Sequence, residues 1–108
     1  MKTIVAFVLG LVLAAGCSSF RAAQLYQNGT EALERGAARR AVLDLHEAAR
    51  LEPQASEIQN HLGRAYAAAG SHDLALQAFQ RAVDLDCENA AAQRNLASAE
   101  AFHAGGRP

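Results

Sequence analysis

A period of 34 residues runs through most of the chain, and it restricts the fold more than any other feature. Displacing the sequence by 34 puts Gly29 on Gly63, Gly36 on Gly70, Ala41 on Ala75 and Ala48 on Ala82. Leu45 falls on Phe79, Leu51 on Leu85, Glu52 on Asp86, and Leu62 on Leu96, which begins a partial third copy. Four glycines in register are hard to obtain by chance, even in an Ala-rich chain. Units of this length bury their apolar faces only by stacking on their neighbours. The period therefore predicts a stack of short hairpins.

The hairpins read as helical. Ala41, Leu45 and Ala48 share one helix face, as do Ala75, Phe79 and Ala82. Gly29 and Gly63 fall inside apolar-periodic runs, where Gly costs about 1 kcal/mol relative to Ala, so close approach of a neighbouring helix is expected there. Gly36 and Gly70 follow such runs and read as helix-ending residues. Pro53 stops the first hairpin, and Asn89 suits an N-cap. The pattern predicts helices near 20–35, 38–51, 56–69, 72–85 and 90–103, then a frayed tail at 105–108. Half of the residues are apolar, Ala leads, only two prolines occur and tryptophan is absent, a composition suited to close helix packing. The last helix is expected to cap the stack, with Leu96 over the second copy and Arg94, Glu100 and His103 in water.

Residues 56–89 resemble the tetratricopeptide repeat: Leu62-Gly63-x-x-Tyr66, Gly70, Ala75-x-x-x-Phe79, Ala82 and Leu85-Asp86. Residues 22–55 match through Leu25, Gly29, Ala32, Gly36, Ala41, Leu45, Ala48 and Leu51-Glu52-Pro53. Gln59 stands where the family has a large aromatic, Asn28 where it has Leu, and Cys87 where it has Pro. The resemblance implies an all-α, antiparallel helix-turn-helix solenoid over 22–104, made of repeat 1 (22–55), repeat 2 (56–89) and a partial repeat or cap (90–104). It also implies a protein or peptide partner bound on the concave face formed by the first helix of each repeat. In this register the face comprises Tyr26, Thr30, Leu33 and Glu34, then Asn60, Arg64, Ala67 and Ala68, then Arg94 and Ser98. The expected partner-binding set is Tyr26, Thr30, Leu33, Asn60, Arg64, Arg94 and Ser98, with the arginines pairing to an acidic partner and Tyr26 as an aromatic anchor. The carboxylate clamp of chaperone-binding members needs a lysine, and the only lysine here is Lys2.

The N-terminus reads as an address. Lys2 precedes an uncharged run, Ile4 to Ala15, the pattern of an export signal. As a helix that run extends about 18 Å at 1.5 Å per residue, short of the ~30 Å of a hydrocarbon core. Leu13-Ala14-Ala15-Gly16-Cys17 resembles the lipobox of bacterial lipoproteins, with Ala14 where Leu is usual. The resemblance implies a signal peptide at 1–16, acylation of Cys17, a lipid-anchored linker at 17–21, and a place in the cell envelope on the periplasmic side of the outer membrane. Ordinary secretion and an uncleaved anchor are the alternatives for this segment.

Catalytic and metal chemistry find little support. His46-Glu47-Ala48-Ala49-Arg50 begins like a zinc motif, but Arg50 occupies the second ligand position. His61, His72 and His103 fall on different helices. Asp84-x-Asp86-x-Glu88 lacks the glycine and distal glutamate of a calcium loop. Cys87, between acids, is disfavoured as a thiolate. Opposite charges are interspersed at a net −1, without the basic stripe that nucleic acid demands. The sequence thus predicts a non-catalytic scaffolding lipoprotein without cofactor or metal. Because two and a fraction repeats bury little surface, a homodimer is the structural alternative.

Overall fold

The computed structural model describes residues 2–105, with side chains described outside 9–15. The described chain is all-α. Its five helices are α1 (Lys2–Glu34), α2 (Ala38–Leu51), α3 (Ser56–Ala68), α4 (His72–Leu85) and α5 (Ala90–Gly105). Successive helices pack on one another, with further contacts from α1 to α3 and from α3 to α5. That is a solenoid of two helical hairpins, α1–α2 and α3–α4, closed by a single helix.

The 34-residue period is physical. Gly36 and Gly70 take positive φ, +77° and +83°, which L side chains disfavour. In the first turn Gly36 N–H donates to Leu33 O at 3.1 Å and Ala37 N–H to Ala32 O at 2.8 Å. In the second, Gly70 N–H donates to Ala67 O at 3.1 Å and Ser71 N–H to Tyr66 O at 2.9 Å. These paired bonds form a Schellman motif, which satisfies carbonyls that a helix end leaves free. Each hairpin therefore turns the same way, and the stack inherits one geometry.

Inside the hairpins the other glycine pair sets the helix separation. A Cβ at Gly29 would stand 2.6 Å from Leu45 Cγ, and one at Gly63 would stand 2.5 Å from Phe79 Cε1. Ala41, Leu45, Ala48, Ala75, Phe79 and Ala82 are all buried. Leu45 and Ala48 join Ala32, Ile58, Leu62 and Ala65 in the core cluster where the two hairpins meet. The corresponding residue of the third copy, Ala97, is exposed.

Asn89 caps α5: its Oδ1 accepts from Ala92 N–H at 3.1 Å, and its Nδ2 donates to Ser56 Oγ at 2.9 Å. Ser56 Oγ in turn donates to Ala82 O at 2.8 Å. This chain of bonds ties the start of α3 to the end of α4 and the start of α5.

The start of the first helix differs from expectation. Instead of beginning near residue 20, α1 runs unbroken from Lys2, so Ser18 and Ser19, read as a polar linker, are helical. No proline interrupts this stretch and Ala and Leu, strong helix formers, are frequent in it, so nothing local ends the helix. Ile4, Val5, Phe7, Val8 and Phe20 remain exposed on it. Among the described residues, no helix is long and apolar enough to cross a membrane. The cap also differs in detail. Arg94 and Glu100 are exposed, but His103 is half-buried, with Nε2 at 3.0 Å from Asp73 Oδ1. Of the expected frayed tail, 106–108 lie outside the described residues, while Gly105 still ends α5.

Candidate functional site

A cleft of about 530 Å³ opens where α3, α4 and α5 converge, with Leu33 of α1 at its edge. Its volume falls in the range of ligand-binding pockets, roughly 300–1,000 Å³. Ala67 and Ala68 from α3, Ala75 from α4 and Ala99 from α5 line it with short side chains, so the backbones remain accessible between larger walls. The walls are aromatic. Phe79 belongs to the core, while Phe102 is half-buried and stacks on His72 with ring centroids 4.3 Å apart. Polar character comes from Arg64, Asn95, Ser98 and His72, and no acidic residue lines the cleft. Arg64 is exposed and makes no ion pair among the described residues. A guanidinium in that state keeps its forked donors for a carboxylate.

The seven residues expected to bind a partner divide into three groups. Leu33, Arg64 and Ser98 line this cleft. Arg94 is exposed but stands outside the lining, and Thr30 is half-buried with its hydroxyl donating to Gln27 O at 2.9 Å. Tyr26 and Asn60 instead join one first helix to the next. The Tyr26 hydroxyl lies 3.2 Å from His61 Nδ1, with the rings edge to face at 5.1 Å. Asn60 is 2% exposed, and its Oδ1 accepts from Asn95 Nδ2 at 2.8 Å. These two contacts are equivalent under the period, since 26 corresponds to 60 and 61 to 95. The stack repeats its polar seam as well as its apolar one.

Burial holds the Tyr26 phenol above its ordinary value of 10.0, with the charge of Glu57 adding to the rise and that of Arg64 opposing it. Glu57 also approaches His61, Oε1 to Nδ1 at 3.4 Å. The Tyr26–His61 contact is therefore electrostatically coupled to the rim of the cleft through Arg64.

Sequence reasoning missed Phe102, His72 and Asn95. The first had a signal: Glu34, Ala68 and Phe102 fall on one column of the period, and the first two already belonged to the expected face. His72 and Asn95 enter through packing between helices, which the period alone does not specify.

Cys17 and Cys87 are both free and exposed. Cys17 stands midway along α1, with Gly16 beside it in open space. Among the described residues, no cluster of three or more His, Cys, Asp or Glu is arranged to hold a metal ion. No protein-family model matches the chain, and no curated protein matches it.

Proposed function

We infer that this chain is a non-catalytic, protein-binding lipoprotein of the bacterial cell envelope, a tetratricopeptide-type adaptor that grips a partner segment in the cleft between α3, α4 and α5. The observation that carries the reading is an aromatic-walled cleft with an unpaired arginine, Arg64, at its rim. A partner segment with an apolar side chain for Phe102 and Ala67, and a carboxylate for Arg64, matches that lining.

The anchor rests on sequence. Lys2, the uncharged run to Ala15 and the Leu13–Cys17 lipobox support removal of 1–16 and acylation of Cys17, on the periplasmic side of the outer membrane. The exposed Cys17 thiol and the unpacked Ile4, Val5, Phe7 and Val8 are compatible with recognition by processing enzymes. More than one acyl chain is needed for durable attachment, and lipoprotein processing supplies them.

Two experiments test the reading. Metabolic labelling with an alkyne-bearing palmitate is expected to mark the wild-type protein and leave Cys17→Ser unlabelled and released from membranes; label on Cys17→Ser ends the lipoprotein reading. Affinity capture from detergent-solubilised envelopes is expected to recover a partner that Arg64→Glu loses. Capture unaffected by both Arg64→Glu and Phe102→Ala removes the cleft from the proposal. The exposed flank of α5 favours a second reading, a homo-oligomer that covers it. Light scattering separates the two: a concentration-dependent dimer with no captured partner supports oligomerisation.

A further inference from the structure

A second cleft lies on another side of the solenoid. Here α2, α3 and α4 surround about 500 Å³, and the lining shares no residue with the first cleft. Gln59 lines it while only 8% exposed. Among the described residues its side-chain amide has no hydrogen-bond partner. A buried amide has two donors and an acceptor to satisfy, and leaving them unmade is unfavourable. Such a group facing a cleft points to something that completes it.

The repeat sharpens the point. The residue 34 earlier is Leu25, which packs against the core as an apolar filler. Repeat 2 replaces that filler with an amide whose bonding capacity is unspent. Leu62, Tyr66 and Leu74 supply apolar walls, and Leu74 is 44% exposed. The charged residues of the lining are all of one kind. Arg50 and Arg81 contribute, no acid does, and Arg81 makes no ion pair among the described residues.

We propose that this cleft is a second protein-binding site, taking a partner segment that presents one bulky aromatic side chain flanked by acidic residues. The ring fills the space between Leu62 and Leu74, a polar group of the segment pairs with the Gln59 amide, and a flanking carboxylate pairs with Arg81. A second copy of this chain does not offer that segment. Its exposed aromatics are Phe7 and Phe20, and no acidic residue precedes Glu31 in the sequence.

The test is fluorescence anisotropy with the full chain and a fluorescein-labelled pentapeptide, Asp-Glu-Trp-Glu-Asp, capped at its C-terminus. Saturable binding is expected, weakened at least ten-fold by Gln59→Trp, which occupies the cleft itself, and by Arg81→Glu. Gln59→Leu, closer in size, serves if the Trp variant does not fold, and the same weakening is expected of it. Arg64→Glu is expected to leave this binding unchanged, so failure here is distinguishable from failure at the first cleft. Four results overturn the proposal: no binding to the wild-type chain, equal binding by the Gln59 variants, loss of binding in Arg64→Glu, or competition by N-acetyltryptophanamide as strong as by the unlabelled peptide. A wild-type dimer that Gln59→Trp renders monomeric assigns the cleft to a second copy and overturns it too.

Discussion

Gly63 and Phe79 meet so closely that the ring lies over the bare Cα, where a methyl carbon would stand 2.5 Å from Cε1. The ring is 4% exposed and has little room to withdraw. Gly29 and Leu45 repeat the relationship one hairpin earlier. Two opposed effects decide what a substitution does. Ala is favoured over Gly in a helix interior by about 1 kcal/mol, while overpacking a filled core costs about 1–3 kcal/mol.

The clash is expected to win. Gly63→Ala should lower stability by about 1–2 kcal/mol, read as a lower midpoint in urea denaturation. In a Phe79→Leu background, which removes the ring atoms nearest the new carbon, the penalty of Gly63→Ala should shrink or reverse. An unchanged penalty in that background means the ring is not its cause.

The polar seam between first helices makes a second prediction. Asn60→Ala removes the acceptor for Asn95 Nδ2 and should cost about 1–2 kcal/mol, since the partner amide is half-buried. Asn95→Ala should cost a similar amount, because it strands a residue only 2% exposed. Thermal melts of both single variants and the double variant give the coupling energy; full additivity contradicts the seam.

Alkaline pH should weaken the junction of the two hairpins. Burial raises the phenol of Tyr26 above 10.0 in the folded chain, so on raising pH the unfolded chain loses this proton first. The contribution is fully present below the unfolded value and disappears as pH climbs through the folded one. Denaturation midpoints measured from about pH 9 to 11 should fall more steeply in the wild type than in Tyr26→Phe. Parallel slopes for the two proteins exclude the phenol.

At the first cleft, Phe102→Ala is expected to weaken capture of the partner about ten-fold, equivalent to about 1.4 kcal/mol. Its effect on the melting temperature should be small, because the ring is half-buried on the terminal helix. A variant that instead unfolds, seen by circular dichroism, makes Phe102 a structural residue.

The periodic part of this fold was legible because its determinants are local and few. A residue without a side chain announces a turn at Gly36 and Gly70, or a close approach at Gly29 and Gly63, and each reading follows from steric exclusion alone. Helices α2 to α5 fall within one residue of expectation at their starts, and Asn89 caps as its side chain predicts. The extent of α1 was not legible, because a signal-like segment followed by Ser18-Ser19 suggests separation on grounds of processing, whereas helix propensity simply continues. The roles of Tyr26 and Asn60 were also hidden. A position on the inner column of a repeat can face a ligand or the next helix, and only the lateral spacing of helices decides which. Gln59 was noticed as a departure from the family pattern, but the cleft beside it arises from three helices at once.

Ala97 occupies the place that Gly29 and Gly63 hold in the complete hairpins, and it is exposed. One methyl group thus marks where the array stops, since a further antiparallel helix could not settle there as deeply as α2 and α4 do. Lengthening the protein by duplicating residues 56–89 after Gly105 would have to restore glycine at 97 before the added hairpin seated at the native depth. The boundary of this small solenoid is written in shape at a single site as much as in the number of its residues.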